Sequence, residues 1–296
     1  MRPVFRGNES VNRAGSTAIV MNSLPAIDAW GNLALAGTID RSPTIERLFR
    51  QSGNSQVLDR GLSAAETVEL MDRAGIEKML VTAWHRPGSC ADSDRLVGEL
   101  VREHPDRFVG IVSVDVENPG RAAAQIRRAV EVDGFKGLRI VPWLWNRPPN
   151  DSLYYALYTE CVELDIPVCT QVGHTGPLSP SEPGRPIPYL EQVALDFPGL
   201  RIVGGHLGYP WTDEMIALAS KHQNVYIDTS AHAPRYFPPQ LVEFMRGDGQ
   251  AKVLFATNFP MLSLEKCVAQ VADLQLPSAI AAKFLRENCR KVYKLA

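Results

Sequence analysis

Two histidines in this 296-residue chain stand where proton chemistry would need them. His174 lies in GHTGP and His206 in GGHLGYPW, each glycine-flanked and each directly after a short apolar run. An imidazole changes charge near neutrality, so either ring could give or take a proton. Asp228, in NVYIDTS, could hold a histidine in one tautomer, or act as a base where burial raises its pKa. Asp28, in AIDA, reads instead as a group that orients its neighbours. Arg139 sits inside the run GLRIV, where a buried guanidinium needs a partner. A carboxylate substrate gripped by the planar fork would serve, and so would an internal ion pair with Asp115, Asp228 or another acid. Gln171, Asn258 and His85 add polar groups at neighbouring run ends.

All five tryptophans, Trp30, Trp84, Trp143, Trp145 and Trp211, fall within a few residues after such runs. Large amphipathic rings gathered there suit a pocket for a planar or bulky apolar ligand. A plug of aromatic side chains or a dimer contact is the alternative. The proline-rich stretch 177–188 (PLSPSEPGRPIP) reads as a semi-rigid flap beside the same region.

The elements that must position these residues follow a repeated pattern. Short apolar runs at 26–29, 78–83, 108–114, 137–141, 167–172, 201–205, 225–229 and 252–257 alternate with longer segments of helical periodicity. Runs that are apolar almost throughout mark parallel strands buried on both faces. The stretch 64–74 (AAETVELMDRA) reads as a helix with Ser63 as its N-cap, and 121–132 and 153–164 follow suit. Eight strands alternating with helices, with no GxGxxG and no P-loop, predict an α/β fold of the (β/α)8 TIM-barrel type. In such a barrel, chemistry belongs to the loops after the strands. The reading assigns residues 1–23 to an N-terminal extension and 24–296 to a single barrel domain.

Composition narrows the partners. The chain is 45% hydrophobic and 22% charged, with 31 Lys+Arg against 33 Asp+Glu and a formal net charge of −2. It has no basic run of the kind nucleic acid requires and no apolar stretch long enough to span a membrane. A small molecule is the expected partner, with a homo-oligomer possible. Five cysteines without a CxxC pair point to reduced thiols and a cytoplasmic setting.

Taken as an ordered set, ID at 27–28, HPDRFVG at 104–110, GFKGLRI at 134–140, GHTGP at 173–177, GGHLGYPW at 204–211, NVYIDTS at 224–230 and ATNFPM at 256–261 resemble the amidohydrolase superfamily. The likeness is to its branch of metal-dependent hydrolases and aromatic-acid decarboxylases. The resemblance implies a distorted (β/α)8 barrel, a metal-ligand position at His174 and a proton-transfer position at His206. It also exposes departures. Where the family places an HxH-like ligand pair after strand 1, this chain has Ala29-Trp30-Gly31-Asn32, and Asn258 replaces the strand-8 aspartate. A catalytic zinc needs about three protein ligands. The expectation is therefore no cofactor, with His174 the one ligand left should zinc bind.

The function implied is hydrolysis or non-oxidative decarboxylation of a small, aromatic organic acid. His206, His174 and Asp228 would be the catalytic groups. Arg139, Asn258, Gln171, His85 and the five tryptophans would bind substrate. Two alternatives stay open: a metal-independent lyase, isomerase or cyclase working by acid–base catalysis, and an inactive barrel that binds a ligand.

Overall fold

The computed structural model of the chain describes residues 24–82 and 92–296. Its strands arise where the apolar runs predict them: β1 (Ala26–Asn32), β2 (Ile76–Thr82), β3 (Phe108–Ile111), β4 (Leu138–Ile140), β5 (Val168–Gln171), β6 (Ile202–Gly205), β7 (Val225–Asp228) and β8 (Val253–Leu254). Every ladder between them is parallel. The strands form two sheets, β1-β2-β3 and β4-β5-β6-β7-β8. Isolated parallel bridges join the sheets at both seams, Val112 to Leu138 and Gly31 to Phe259. The β1–β8 seam carries backbone bonds from Ala29 N–H to Phe255 O (2.9 Å) and from Asn32 N–H to Phe259 O (2.8 Å).

The crossover helices show why the sequence folds this way. In Ala64–Ala74 the Ser63 hydroxyl accepts from Glu66 N–H, while the Glu66 side chain accepts from Ser63 N–H. This reciprocal cap satisfies backbone donors that the first turn leaves open. Gly75, at φ 71°, ends the helix in a left-handed turn that feeds straight into β2.

Two buried clusters hold the barrel together. One lies between the strands and the surrounding helices. The other fills the ring and includes Ile27, Trp30, Leu80, Ile111 and Val203. The terminal helix Asn288–Tyr293 adds Cys289, Val292 and Tyr293 to this inner cluster. Tyr293 packs at Gly137, just before β4, and Arg201, just before β6, donates from Nε to Val292 O (2.8 Å). That helix therefore stops the N-terminal end of the ring and leaves the C-terminal end for the polar residues.

One boundary differs from expectation. β1 continues to Asn32, so Trp30 and Asn32 are strand residues and not part of the following loop. Its seven residues are all buried, and pairing with β2 on one side and the 255–259 segment on the other extends it. Among the described residues no helix is long and apolar enough to cross a membrane.

Candidate active site

His206 leaves the end of β6 with φ at 65°, and Leu207 follows at 59°. Consecutive non-glycine residues in the left-handed region are uncommon and costly, and such conformations concentrate at functional positions. The turn sets the buried imidazole against Trp30, with ring centroids 5.0 Å apart. Nδ1 lies 2.5 Å from the Ser230 hydroxyl. That hydroxyl donates to Asp228 Oδ1, which also accepts from Ser230 N–H at 2.9 Å. The His206 N–H is shared between Ser230 Oγ (3.2 Å) and Asp228 Oδ1 (3.4 Å). Among the described residues Asp228 Oδ2 has no hydrogen-bond partner. Burial raises the Asp228 pKa. The His206 pKa is held well below its ordinary value, first by burial and then by the charges of His232, Arg139 and His174. At neutral pH the ring is therefore uncharged.

A second buried carboxyl braces the β1–β8 seam. Asp28 Oδ1 accepts from the N–H groups of Trp30 (3.1 Å) and Thr257 (2.9 Å), and Oδ2 accepts from the Thr257 hydroxyl (2.5 Å). Burial pushes its pKa up to about 6. Asp28 thus orients its neighbours. Beside it, Asn32 Nδ2 donates to Asn258 Oδ1 (2.9 Å) and Phe259 O (3.0 Å). Asn258, at φ 66°, donates its N–H to Trp30 O (2.8 Å).

Arg139 reaches inward from β4 and is 3% exposed. Nη1 donates to Gly31 O (3.0 Å) and Asn32 Oδ1 (3.4 Å), and Nε points to Cys169 Sγ (3.4 Å). Its guanidinium carbon lies 3.8 Å from the centre of the Trp30 ring. Nη2 has no partner. Among the described residues no carboxylate bonds to it directly, although the Arg139 charge acts on Asp228 and lowers its pKa against the effect of burial. Arg139 lines a cavity with Trp30, Asn32, Thr82, Ser113 and Trp145. The enclosed space is about 10 Å³, room for about one water.

The remaining expected residues divide between this cavity and the rim. Trp143 and Trp145 lie on a one-turn helix, Pro142–Trp145, where an irregular loop was expected. Trp145 enters the cavity wall, and Trp143 Nε1 donates to Gln171 Oε1 (2.7 Å). Trp211 precedes the helix Thr212–Lys221 with the Arg185 guanidinium 5.8 Å from its ring, and Arg185 pairs with Glu214. The His174 N–H donates to Tyr209 O (2.6 Å), and its exposed ring meets Tyr209 edge-on. This close approach requires Gly173 (φ 90°), where a Cβ would fall 2.4 Å from Tyr209 O. Tyr209 in turn contacts His232. Of the expected residues, Arg139, Trp30 and Trp145 line this cavity; His206 reaches it only through the Trp30 ring, and Asn258 only through Asn32, while His174, Gln171, Trp143 and Trp211 are not among its lining residues. Trp84 and His85 fall outside the described residues. Ser230 escaped the sequence reading, although its position two residues after Asp228 was the available signal.

Among the described residues no three His, Cys, Asp or Glu side chains come together to hold an ion. Asn258 spends its oxygen on Asn32.

A (β/α)8 barrel with its polar residues gathered at the strand C-termini defines a TIM-barrel protein of the enzyme type. The amidohydrolase family model matches residues 27–295, and the chain belongs to that family. It is 23% identical to the gamma-resorcylate decarboxylase of Rhodococcus jostii strain RHA1 over 288 residues, covering 77% of this chain and 86% of that protein. An uncharacterized TIM-barrel protein from Bordetella bronchiseptica superposes with a TM-score of 0.77 at 21% identity, over 92% of this chain and 99% of that one. The 5-carboxyvanillate decarboxylase of Novosphingobium aromaticivorans, solved with manganese and 4-hydroxy-3-methoxy-5-nitrobenzoic acid, gives 0.68 at 20% identity, over 93% and 97%.

Proposed function

We propose that this amidohydrolase removes carbon dioxide, without oxidation, from a small aromatic acid. The observation that carries the reading is Arg139: a buried cation with no carboxylate bonded to it and a free Nη2, stacked on Trp30 beside a cavity that also holds Asn32, Thr82 and Ser113. A substrate carboxylate supplies the missing counter-charge, and the planar fork suits it. The decarboxylases to which the chain is similar act on acids of this kind by name. The enclosed space is smaller than an aromatic ring, so the acid must displace part of the wall it meets.

In the reaction the ring carbon bearing the carboxylate takes a proton. The carbon–carbon bond then breaks, its electron pair restores the aromatic ring, and CO2 leaves. His206 is the proton-transfer group, Arg139 fixes the carboxylate, Asn258 and Gln171 hold polar substituents, and Trp30 and Trp145 exclude water. His174, on the rim, and Trp143, through Gln171, act at the edge of the site. Hydrolysis at a metal-activated water needs a donor set that the described residues do not assemble. We therefore place the reaction in a metal-independent site. The described cysteines, all free and buried, support a reducing cytoplasmic setting.

The test is CO2 release from 2,6-dihydroxybenzoate and 5-carboxyvanillate, by protein as purified and after dialysis against chelator, with elemental analysis of both. The expected result is turnover that survives chelation, with well under one metal per chain. Turnover lost on chelation and restored by manganese or zinc overturns metal independence. Tight binding with no turnover overturns the enzyme and leaves the binding barrel.

A further inference from the structure

Ser230 is buried and polar, and it touches both titratable groups of the site. We infer that Asp228, Ser230 and His206 form a proton relay, in which the Ser230 hydroxyl carries a proton between Asp228 Oδ1 and His206 Nδ1 and thereby decides what Nε2 presents to the substrate. The inference deepens the decarboxylase reading and rests on it for the use of the proton; the relay itself rests on the geometry.

A serine hydroxyl has one proton to give. When Asp228 is a carboxylate, Ser230 donates to it and its oxygen must accept from His206 Nδ1–H. Nε2 is then a bare lone pair. When Asp228 is protonated, it donates to Ser230, Ser230 donates to Nδ1, and Nε2 carries the hydrogen. The contacts suit both directions: Nδ1 to Oγ is 2.5 Å, and the His206 N–H holds Ser230 Oγ and Asp228 Oδ1 in place from behind. No described residue hydrogen-bonds Nε2, which leaves it to the ligand. Burial raises the Asp228 pKa, against the Ser230 hydrogen bonds and the Arg139 charge that lower it, with Asp28 the neighbouring carboxyl, and burial of His206 disfavours an imidazolium. The charged or titratable groups facing the ring are Arg139, His232 and His174, and all three act against a second positive charge.

The step balances. His206 Nε2–H passes to the ring carbon as Ser230 Oγ–H passes to Nδ1 and the Asp228 proton passes to Oγ. Asp228 ends as a carboxylate, and CO2 departs with the bond electrons left on the ring. After product leaves, water returns one proton through Nε2 by the reverse route. A neutral histidine can thus act as an acid without first becoming a cation.

The relay is tested by nitrogen NMR of the full chain labelled at histidine, between about pH 5 and 8, with the His206 signals identified by loss in His206→Asn. The expected wild-type ring stays neutral, carrying hydrogen on Nε2 at the acid end and on Nδ1 at the alkaline end. In Ser230→Ala the tautomer stops following pH, and in Ser230→Thr it follows again. In turnover, Ser230→Ala lowers kcat by about 10–100-fold with KM little changed, and Ser230→Thr recovers most of the loss. A ring with one tautomer throughout, one that charges in this range, or a switch that persists without the hydroxyl overturns the relay. The wild-type titration needs no variant, so a poorly folding Ser230→Ala does not blunt it. If no aromatic acid is turned over while the tautomer switches as described, the decarboxylase reading fails and the relay stands.

Discussion

Replacing Arg139 by methionine separates a residue kept for binding from one kept for the fold. The change removes three donated hydrogen bonds, to Gly31 O at 3.0 Å, Asn32 Oδ1 at 3.4 Å and, more weakly, Cys169 Sγ at 3.4 Å, and the stacking of the cation on Trp30 at 3.8 Å. Bonds from a charged donor contribute about 1.5–3 kcal/mol each, and a desolvated cation–π contact about 2 kcal/mol. Against this, holding an unpaired guanidinium out of water costs several kcal/mol, which an apolar side chain of similar reach avoids. The two sides nearly offset, so the unfolding free energy in urea should change by no more than about 2 kcal/mol. Affinity is another matter. Losing the grip of the one free nitrogen, Nη2, on a carboxylate should cost about 1.5–3 kcal/mol, or about 10–10²-fold in Kd for 2,6-dihydroxybenzoate by calorimetry. A loss of stability above about 4 kcal/mol, with affinity of the folded protein kept within about threefold, would show that Arg139 holds the barrel and not the ligand.

Asp28, with a folded pKa of about 6 against an ordinary 3.8, binds more protons folded than unfolded. Its contribution is therefore full below pH 3.8 and lost as the pH rises through about 6. Asp28→Asn should shrink the stability difference between acid and neutral pH by about 3 kcal/mol, and an unchanged slope in urea unfolding would contradict burial as the cause. A Cβ at Gly205 would fall 2.7 Å from the Trp30 ring and 3.0 Å from Asp228 Oδ2. Gly205→Ala should lower stability by about 1–3 kcal/mol and shift tryptophan fluorescence; wild-type values for both would mean that the ring moves aside freely.

Most of the scaffold could be read before any coordinates because barrel strands buried on both faces leave apolar runs that other structures rarely imitate. The cap at Ser63 was equally legible, since its partner Glu66 is three residues away. Trp30 was misplaced by a strand that outran its apolar run: Gly31 and Asn32 have no strand signature, and only pairing across the β1–β8 seam extends β1 through them. Arg139 could be suspected from its buried setting, but its lack of a directly bonded acid depends on contacts distant in sequence. Ser230 gave little warning, because a serine gains its meaning here from a histidine 24 residues earlier. His174 was read from its motif, yet the approach of residue 209 beneath Gly173 leaves its ring exposed at the rim.

The seam between β1 and β8 also governs when the site comes into being. The Asn32–Asn258 contact joins residues 226 positions apart, and closing so long a loop costs about 5 kcal/mol of chain entropy before any contact repays it. The β6–β7 pairing closes a loop about one tenth as long and forms at far smaller entropic cost. Along a refolding trajectory, helices and neighbouring strands therefore assemble while Trp30, Arg139 and His206 are still apart. Their meeting depends on the seam, so ligand binding is among the last properties the molecule acquires. A chain that has recovered nearly all its secondary structure can still be chemically blank.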